Sequence, residues 1–256
     1  MIAGRYEVTS PLRSTRHAHV FVAYDEATGG QVVVKLLRAA AASDPRGLRR
    51  MEREVDALSR VKHPNVVRMI EWIDNPPMLS MEQLNGPTLR NDLREHRRYD
   101  VRDLRQLGLD LAAALTAVHA ADLVHADVKP ANIVVVGAPD RRRFTLIDFH
   151  LSRRPGEVGP GLGTRLFAAP EQAAGGVLGP ASDAWGIGIA LYRAATAKLP
   201  FQGKEGQPQI LELAEPSAQR SVKLPSEFTD LIDMLLSLDP AARPSLAVVT
   251  AALQSI

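Results

Sequence analysis

One short stretch concentrates the groups that could do chemistry. In Leu123-Val124-His125-Ala126-Asp127-Val128-Lys129-Pro130-Ala131-Asn132, an acid, a cation two residues on and an amide five residues on fall within one tight loop. That order would set a proton acceptor, a fixed positive charge and an oxygen ligand around a single point. Sixteen residues after Asn132, Asp148 stands in Leu146-Ile147-Asp148-Phe149, at the end of an apolar run. A carboxylate at the end of a buried strand is costly unless it is paired or bound to a metal. Singly, each residue has an ordinary structural reading: Asp127 as a turn residue, Lys129 as surface, Asn132 as a cap, Asp148 as a solvated strand end. The order of the four, not any one of them, is the signal.

These groups need a scaffold, and the hydrophobic pattern supplies one. Residues 6–23 are β-rich and broken by Pro11, and a β-branched run at 32–37 follows the turn signal Thr28-Gly29-Gly30. Ser43, Asp44 and Pro45 mark a helix start, after which Leu48, Met51, Val55 and Leu58 recur at spacings of three and four. Two further strands are predicted at 66–73 and 78–84. After Gly86-Pro87 the character changes, and Leu104, Leu107, Leu111, Leu115 and Val118 predict a long helix ending before Val124. Beyond it the chain reads as mostly helical. The exceptions are apolar runs at 133–136 and 144–149 and a loop at 153–163 rich in glycine and proline. The pattern predicts an α+β chain with a small β-rich lobe, a hinge near 82–88 and a larger helical lobe.

Composition narrows the function classes. A chain of 256 residues, 45% hydrophobic, has room for one sizeable core. Its 31 basic and 29 acidic residues leave a net charge of +2 with no basic block, so nucleic acid is not an expected partner. The absence of cysteine excludes a disulfide framework, a thiolate zinc site and a cysteine nucleophile. The most apolar stretches, near 111–124 and 187–197, are interrupted by polar residues and fall short of the ~20 a membrane span needs. With no signal peptide visible at the amino terminus, a cytoplasmic location without membrane insertion is expected. Richness in alanine and arginine suggests a bacterial origin.

Taken in order, the motifs resemble the eukaryotic-type (Hanks-type) protein kinase family, whose template sets His-Arg-Asp, four residues and Asn ahead of an Asp-Phe-Gly metal site. The resemblance covers nearly all of the chain. Val32-Val33-Val34-Lys35 resembles the family's third-strand lysine motif, and Glu54 stands where the first long helix would offer that lysine its partner. Ala169-Pro170-Glu171 is similar to the family's Ala-Pro-Glu, and Ser182-Asp183-Ala184-Trp185 to the start of its large central helix. Arg243 would then pair with Glu171. Lysine is scarce here, 6 residues against 25 arginines, so finding it at both 35 and 129 favours a compact ammonium over a guanidinium fork.

The resemblance implies a two-lobed fold forming one kinase domain over 1–256, with lobes at about 1–81 and 89–256 and the hinge at 82–88. It implies a serine/threonine protein kinase that moves the γ-phosphoryl of ATP to a hydroxyl of a protein substrate. Lys35, held by Glu54, would touch the α- and β-phosphates. Asn132 and Asp148 would bind magnesium or manganese. Asp127 would orient the attacking hydroxyl and Lys129 would neutralise the transferring group. Adenine would meet the backbone of Glu82 and Leu84 behind Met81, with Val33 against the ring, Val20 above it and Val134 below. The pair of Lys129 and Thr164 resembles the serine/threonine subgroup.

Four departures from the template stand out, and three of them, the lost glycines, Val33 and His150, favour the alternative, a pseudokinase acting as a nucleotide-binding or protein-binding regulatory module. Arg13, Thr15 and Ala18 replace the three glycines of the phosphate loop, removing residues that let backbone N–H groups approach phosphate closely. The basic Arg13, Arg16, His17 and His19 read either as the solvated charges of an exposed turn, the more ordinary reading, or as side chains that replace those donors. Val33 stands where relatives place alanine, adding two methyls against adenine. Ala126 replaces the arginine that reads a phosphate on the activation loop, and Ser152 is the only hydroxyl residue between Asp148 and Thr164. Activity is therefore expected not to depend on phosphorylation of that loop. Finally, His150 stands in Asp-Phe-His where the template has glycine, and must accept the geometry of that turn.

Overall fold

The computed structural model describes residues 1–96, 98–202, 212–213 and 224–256. Its amino-terminal part is an antiparallel sheet in the order β1-β2-β3-β5-β4: β1 (Tyr6–Ser14), β2 (Ala18–Asp25), β3 (Gly30–Leu37), β4 (Met69–Asp74) and β5 (Pro77–Glu82). Pro11 is accommodated because β1 is an edge strand, and its register shifts between Pro11 and Arg13. The short helix α1 (Ala39–Ala42) leads into α2 (Pro45–Arg60). Asp44 caps α2 by accepting the Arg46 N–H at 2.9 Å, and Pro45 opens the first turn. Met51, Ala57 and Leu58 form the buried stripe of α2, and Glu54 is its one buried charged residue among them.

The carboxy-terminal part is built on α3 (Leu89–His96), α4 (Val101–Ala120) and α6 (Pro180–Thr196), closed by α7 (Ser226–Leu235) and α8 (Leu246–Ser255). All five residues of the stripe predicted in α4 are fully buried: Leu104, Leu107, Leu111, Leu115 and Val118. They join Trp185, Leu191, Phe228 and Leu253 in one core that continues through Ala57, Leu58, Leu79 and Met81 into the sheet lobe. Helix α6 is almost wholly buried, and at Gly186 a Cβ would lie 2.5 Å from the Val128 side chain. Only glycine lets that helix support the loop at 125–132 so closely. Gly86 plays the same part in the connection between lobes, where a Cβ would meet the Val135 carbonyl oxygen at 1.8 Å.

Smaller elements carry the site. Strands β6 (Ile133–Val136) and β7 (Arg143–Leu146) pair antiparallel, and β8 (Gly156–Val158) pairs with β9 (Gly176–Leu178) on either side of α5 (Pro170–Ala174). A last two-residue pair joins β10 (Phe201–Gln202) to β11 (Glu212–Leu213).

The boundaries differ from expectation in several places, among them the strand predicted at 78–84, which spans Pro77–Glu82. The strand predicted from residue 66 begins at Met69, because Val66 and Val67 instead meet Leu146 of β7. β7 stops at Leu146, so Asp148 lies two residues past the strand. The loop at 153–163 contains β8, a strand whose glycine hid it from any hydrophobic pattern. Gly203, Gly206 and Pro208, which read in sequence as the loop entering a variable segment at 201–230, lie outside the described residues.

Candidate active site

The loop at 125–132 is held from beneath by Asp183, a 1% exposed residue at the start of α6. Its two oxygens accept the His125 and Ala126 N–H groups, each at 2.9 Å, and Oδ2 also accepts from His119 Nε2 at 2.8 Å. The His125 ring is fully buried, edge-on to Phe149 at 4.5 Å; burial pulls its pKa down and keeps it neutral. Ala126 takes a left-handed conformation (φ 64), disfavoured for a residue with a Cβ, and its carbonyl accepts Gln172 Nε2 at 2.9 Å. Gln172 was not legible as a site residue, because a glutamine just past Ala-Pro-Glu gives no signal in sequence.

Above this support the four polar residues converge. Lys129 Nζ donates to Asp127 Oδ2 and to Thr164 Oγ1, both at 2.5 Å, and the Thr164 hydroxyl donates to Asp127 Oδ1 at 2.7 Å. The Asn132 amide donates to the Asp127 carbonyl at 3.0 Å and to Oδ2 at 2.9 Å, which leaves its own oxygen as an acceptor. The Ile147 N–H donates to the Asn132 carbonyl at 2.9 Å, which brings Asn132, just before β6, next to the turn that carries Asp148 just after β7.

A second cluster faces the first. Lys35 Nζ reaches Glu54 Oε2 at 2.6 Å and Asp148 Oδ1 at 3.0 Å. Burial works against the ammonium, but the Asp148 and Glu54 carboxylates outweigh it and raise the lysine pKa. Burial pushes Glu54 up, whereas Asp148, half-buried, is held well below the ordinary carboxylate range by Lys35 and by a 2.8 Å hydrogen bond from His150 Nδ1. The left-handed residue of this turn is Asp148 (φ 66) and not His150, which explains why a side chain is tolerated where the template has glycine. Both donors reach Oδ1, leaving Oδ2 for a ligand. Asn132 and Asp148 thus offer two hard oxygens, a donor set that suits a small divalent cation sharing phosphate oxygens and waters.

Among the residues expected to meet adenine and their neighbours, Val20, Lys35 and Leu79 lie in one register row across β2, β3 and β5, and Val33 lies opposite Met81. Met81 and Val134 are buried, while Val20, Val33, Glu82 and Leu84 are half-buried along the cleft side of the hinge. The tip of the β1–β2 hairpin is a tight turn. Thr15 N–H donates to the Ala18 carbonyl at 2.9 Å, and the Thr15 hydroxyl oxygen accepts the His17 and Ala18 N–H groups at 3.2 and 3.1 Å. The amides a glycine loop would aim at phosphate are therefore occupied within the turn. His19 is bonded to Ser14 at 2.6 Å, and His17 turns toward α2.

The segment after Asp148 is fastened at several points. Val124 and Arg153 exchange backbone hydrogen bonds, and the Gly161 N–H donates to the Ala173 carbonyl at 3.1 Å. Ser152 is 2% exposed, so the sole hydroxyl between Asp148 and Thr164 faces inward. Arg243 forks onto Glu171 at 2.8 and 2.9 Å with its guanidinium 5.0 Å over the Trp185 ring. Burial would raise the Glu171 pKa, but Arg243 and the Ser182 hydroxyl lower it.

A five-stranded antiparallel lobe hinged to a helical lobe, with Lys35, Glu54 and Asp148 facing Asp127, Lys129 and Asn132, defines the protein kinase class. The chain belongs to the protein kinase domain family, whose model matches residues 6–255. Serine/threonine-protein kinase PknA of Mycobacterium tuberculosis is 29% identical over 255 residues, covering 94% of this chain and 58% of that protein. The probable serine/threonine-protein kinase PkwA of Thermomonospora curvata is 32% identical over 98% of this chain and 34% of its own length. Serine/threonine-protein kinase PkaA of Streptomyces coelicolor is 32% identical over 85% of this chain and 41% of its own. The chain thus spans about half the length, or less, of these relatives. Among the described residues no helix is long and apolar enough to cross a membrane.

Proposed function

We propose that the chain is one catalytic domain, residues 1–256, that transfers the γ-phosphoryl of ATP to a serine or threonine hydroxyl of a protein. The carrying observation is the Asp127–Lys129–Thr164 triangle, in which a threonine hydroxyl already donates to Asp127 while an ammonium stands against both. A substrate hydroxyl on Asp127 Oδ1 would find the same acceptor, with Lys129 placed to stabilise charge on the group in transfer. Lys35, fixed by Glu54, would hold the α- and β-phosphates. Asn132 and Asp148 would hold magnesium or manganese, which when bound screens the phosphate charge. Adenine would sit at Glu82 and Leu84 among Val20, Val33, Met81 and Val134.

Independence from loop phosphorylation is part of the reading. The β8–β9 pairing, the Gln172 bond to Ala126 and the buried Ser152 support a segment held by its own contacts. The self-satisfied amides of the Thr15 turn favour the second reading, a pseudokinase that binds nucleotide or protein without transfer. The test is phosphate transfer from labelled MgATP to a generic acceptor protein, comparing the chain with Asp127→Ala at matched thermal stability. Transfer lost in the variant is expected; no transfer from either at millimolar nucleotide selects the pseudokinase.

A further inference from the structure

A cavity of about 370 Å3 lies away from the catalytic residues, between the tip of the β1–β2 hairpin and the start of α2. Arg16, His17, Asp44, Arg46, Gly47 and Arg50 are among its lining residues, so three guanidiniums share it with one carboxylate. Among the described residues, none of these three arginines forms an ion pair with a carboxylate. Asp44 is partly engaged elsewhere, since its Oδ1 caps the Arg46 N–H at 2.9 Å.

Two like charges converge here on one atom. His17 Nε2 accepts from Arg16 Nε at 2.8 Å and lies 3.3 Å from Arg50 Nη1. Guanidinium groups only donate, so the imidazole is neutral and serves as a shared acceptor. Its pKa is lowered by burial and by the charges of Arg16 and Arg50, in keeping with that state. Exposed arginines without an anion between them would gain by spreading into water. The cavity wall also depends on Gly47, where a Cβ would stand 2.3 Å from the Ala41 carbonyl oxygen, so α1 could not otherwise close against α2. The space is open to solvent on one side, and its volume reaches the lower end of small-molecule sites, roughly 300–1,000 Å3. The arginine fork is the side chain best matched to a phosphate dianion.

We propose that this cavity binds a small phosphorylated metabolite, its phosphate monoester held by Arg16, Arg46 and Arg50, as a regulatory site separate from the nucleotide cleft. A phosphate there ties the hairpin to α2, the helix that carries Glu54 to Lys35, and so couples effector binding to nucleotide binding.

The test is calorimetric titration of the chain with glycerol 3-phosphate, inorganic phosphate, sulfate and an O-phosphoserine peptide. Arg46→Gln/Arg50→Gln serves as the site variant and Asp148→Asn as a cleft control. The expected result is saturable binding of one glycerol 3-phosphate per chain, retained in D148N and weakened at least tenfold in R46Q/R50Q, about 1.4 kcal/mol. Inorganic phosphate binding as well, with loss in the same variant, supports the site and assigns the recognition to the phosphoryl group. Equal affinity in R46Q/R50Q, no saturation up to about 10 mM, or capture of the phosphoserine peptide alone overturns the proposal. Should the double variant fail to fold, R46Q alone carries the test with at least threefold weakening expected. None of these readouts requires phosphoryl transfer, so a failed transfer assay and a failed binding assay remain distinct results.

Discussion

Replacing Arg243 by methionine isolates the buried ion pair that fastens the end of the activation segment. The Arg243 side chain is 0% exposed and that of Glu171 10%, and besides the two bonds between them Arg243 donates to the Ala181 and Ser237 carbonyls, both at 2.9 Å. Methionine keeps most of the bulk over Trp185 but leaves the Glu171 carboxylate with the Ser182 hydroxyl at 2.7 Å as its remaining side-chain donor. Breaking a buried pair by removing one partner costs about 3–5 kcal/mol, a large share of the roughly 5–15 kcal/mol typical of a whole domain. For a chain of this length that is a fall in Tm of about 6–20 °C. The sign of its pH dependence follows from Glu171, whose folded pKa lies below its ordinary value of 4.5. The stabilisation is present above that ordinary value and is lost as pH falls through the folded pKa. In R243M burial acts on Glu171 against only the Ser182 hydroxyl and a backbone N–H, so the stability gap between the two proteins narrows as pH falls below about 4.5. Denaturant unfolding at pH 7.5 and pH 4.0 reads both quantities. Adding Glu171→Gln to R243M is expected to recover part of the loss, because the stranded charge is gone. A cost under about 1 kcal/mol at pH 7.5, or a gap that does not narrow in acid, refutes the reasoning.

Val33→Ala removes two methyls from the row opposite Met81 and is expected to tighten ATP binding at least fivefold, measured by calorimetry, with overpacking of about 1–3 kcal/mol as the source. Thr164→Val keeps the shape but breaks both sides of the triangle with Lys129 and Asp127. The expected result is a kcat lowered about 100-fold with the KM for ATP within twofold of the parent. Ser152→Ala is expected to leave transfer within twofold of the parent, and mass spectrometry after incubation with ATP is expected to find no phosphate on Ser152. A stimulated rate traced to that serine would contradict its buried placement.

Much of this arrangement was legible because it rests on local rules. The leucines of α4 repeat at helical spacing and are all buried, and Asp44-Pro45 starts α2 as a cap and a first-turn proline do. The convergence of Asp127, Lys129 and Asn132 is likewise local, since the three lie within six residues of the chain. What escaped were features set by partners distant in the chain. Gln172 reaches Ala126 across 46 positions, and β8 exists only because β9 pairs with it. The fate of the Thr15 turn was also hidden. Basic side chains at 16 and 17 suggested replacement donors for phosphate, yet Arg16 and His17 engage each other and Arg50, and the turn closes on its own amides. Sequence shows which groups are near in the chain; it does not show which acceptor each one finds.

Where the chain departs from its family's template, the structure mostly supplies a substitute at the same place. The turn at His150 puts its positive φ on Asp148, and His150 itself donates to that carboxylate. The loop that lacks an arginine at 126 is held by Asp183 through its N–H groups and by Gln172 through its carbonyl. Local rule-breaking compensated nearby is the pattern of a sequence under selection to keep a geometry. The hairpin is the exception, since no backbone donor takes the place of the amides spent within the Thr15 turn. Lys35 is itself shared between the Glu54 and Asp148 carboxylates. Opening that turn, for example by Thr15→Gly, releases the His17 and Ala18 amides from the threonine hydroxyl. If phosphate capture limits the protein, this single change is expected to strengthen ATP binding severalfold; unchanged affinity would move the limit to the crowded adenine side at Val33.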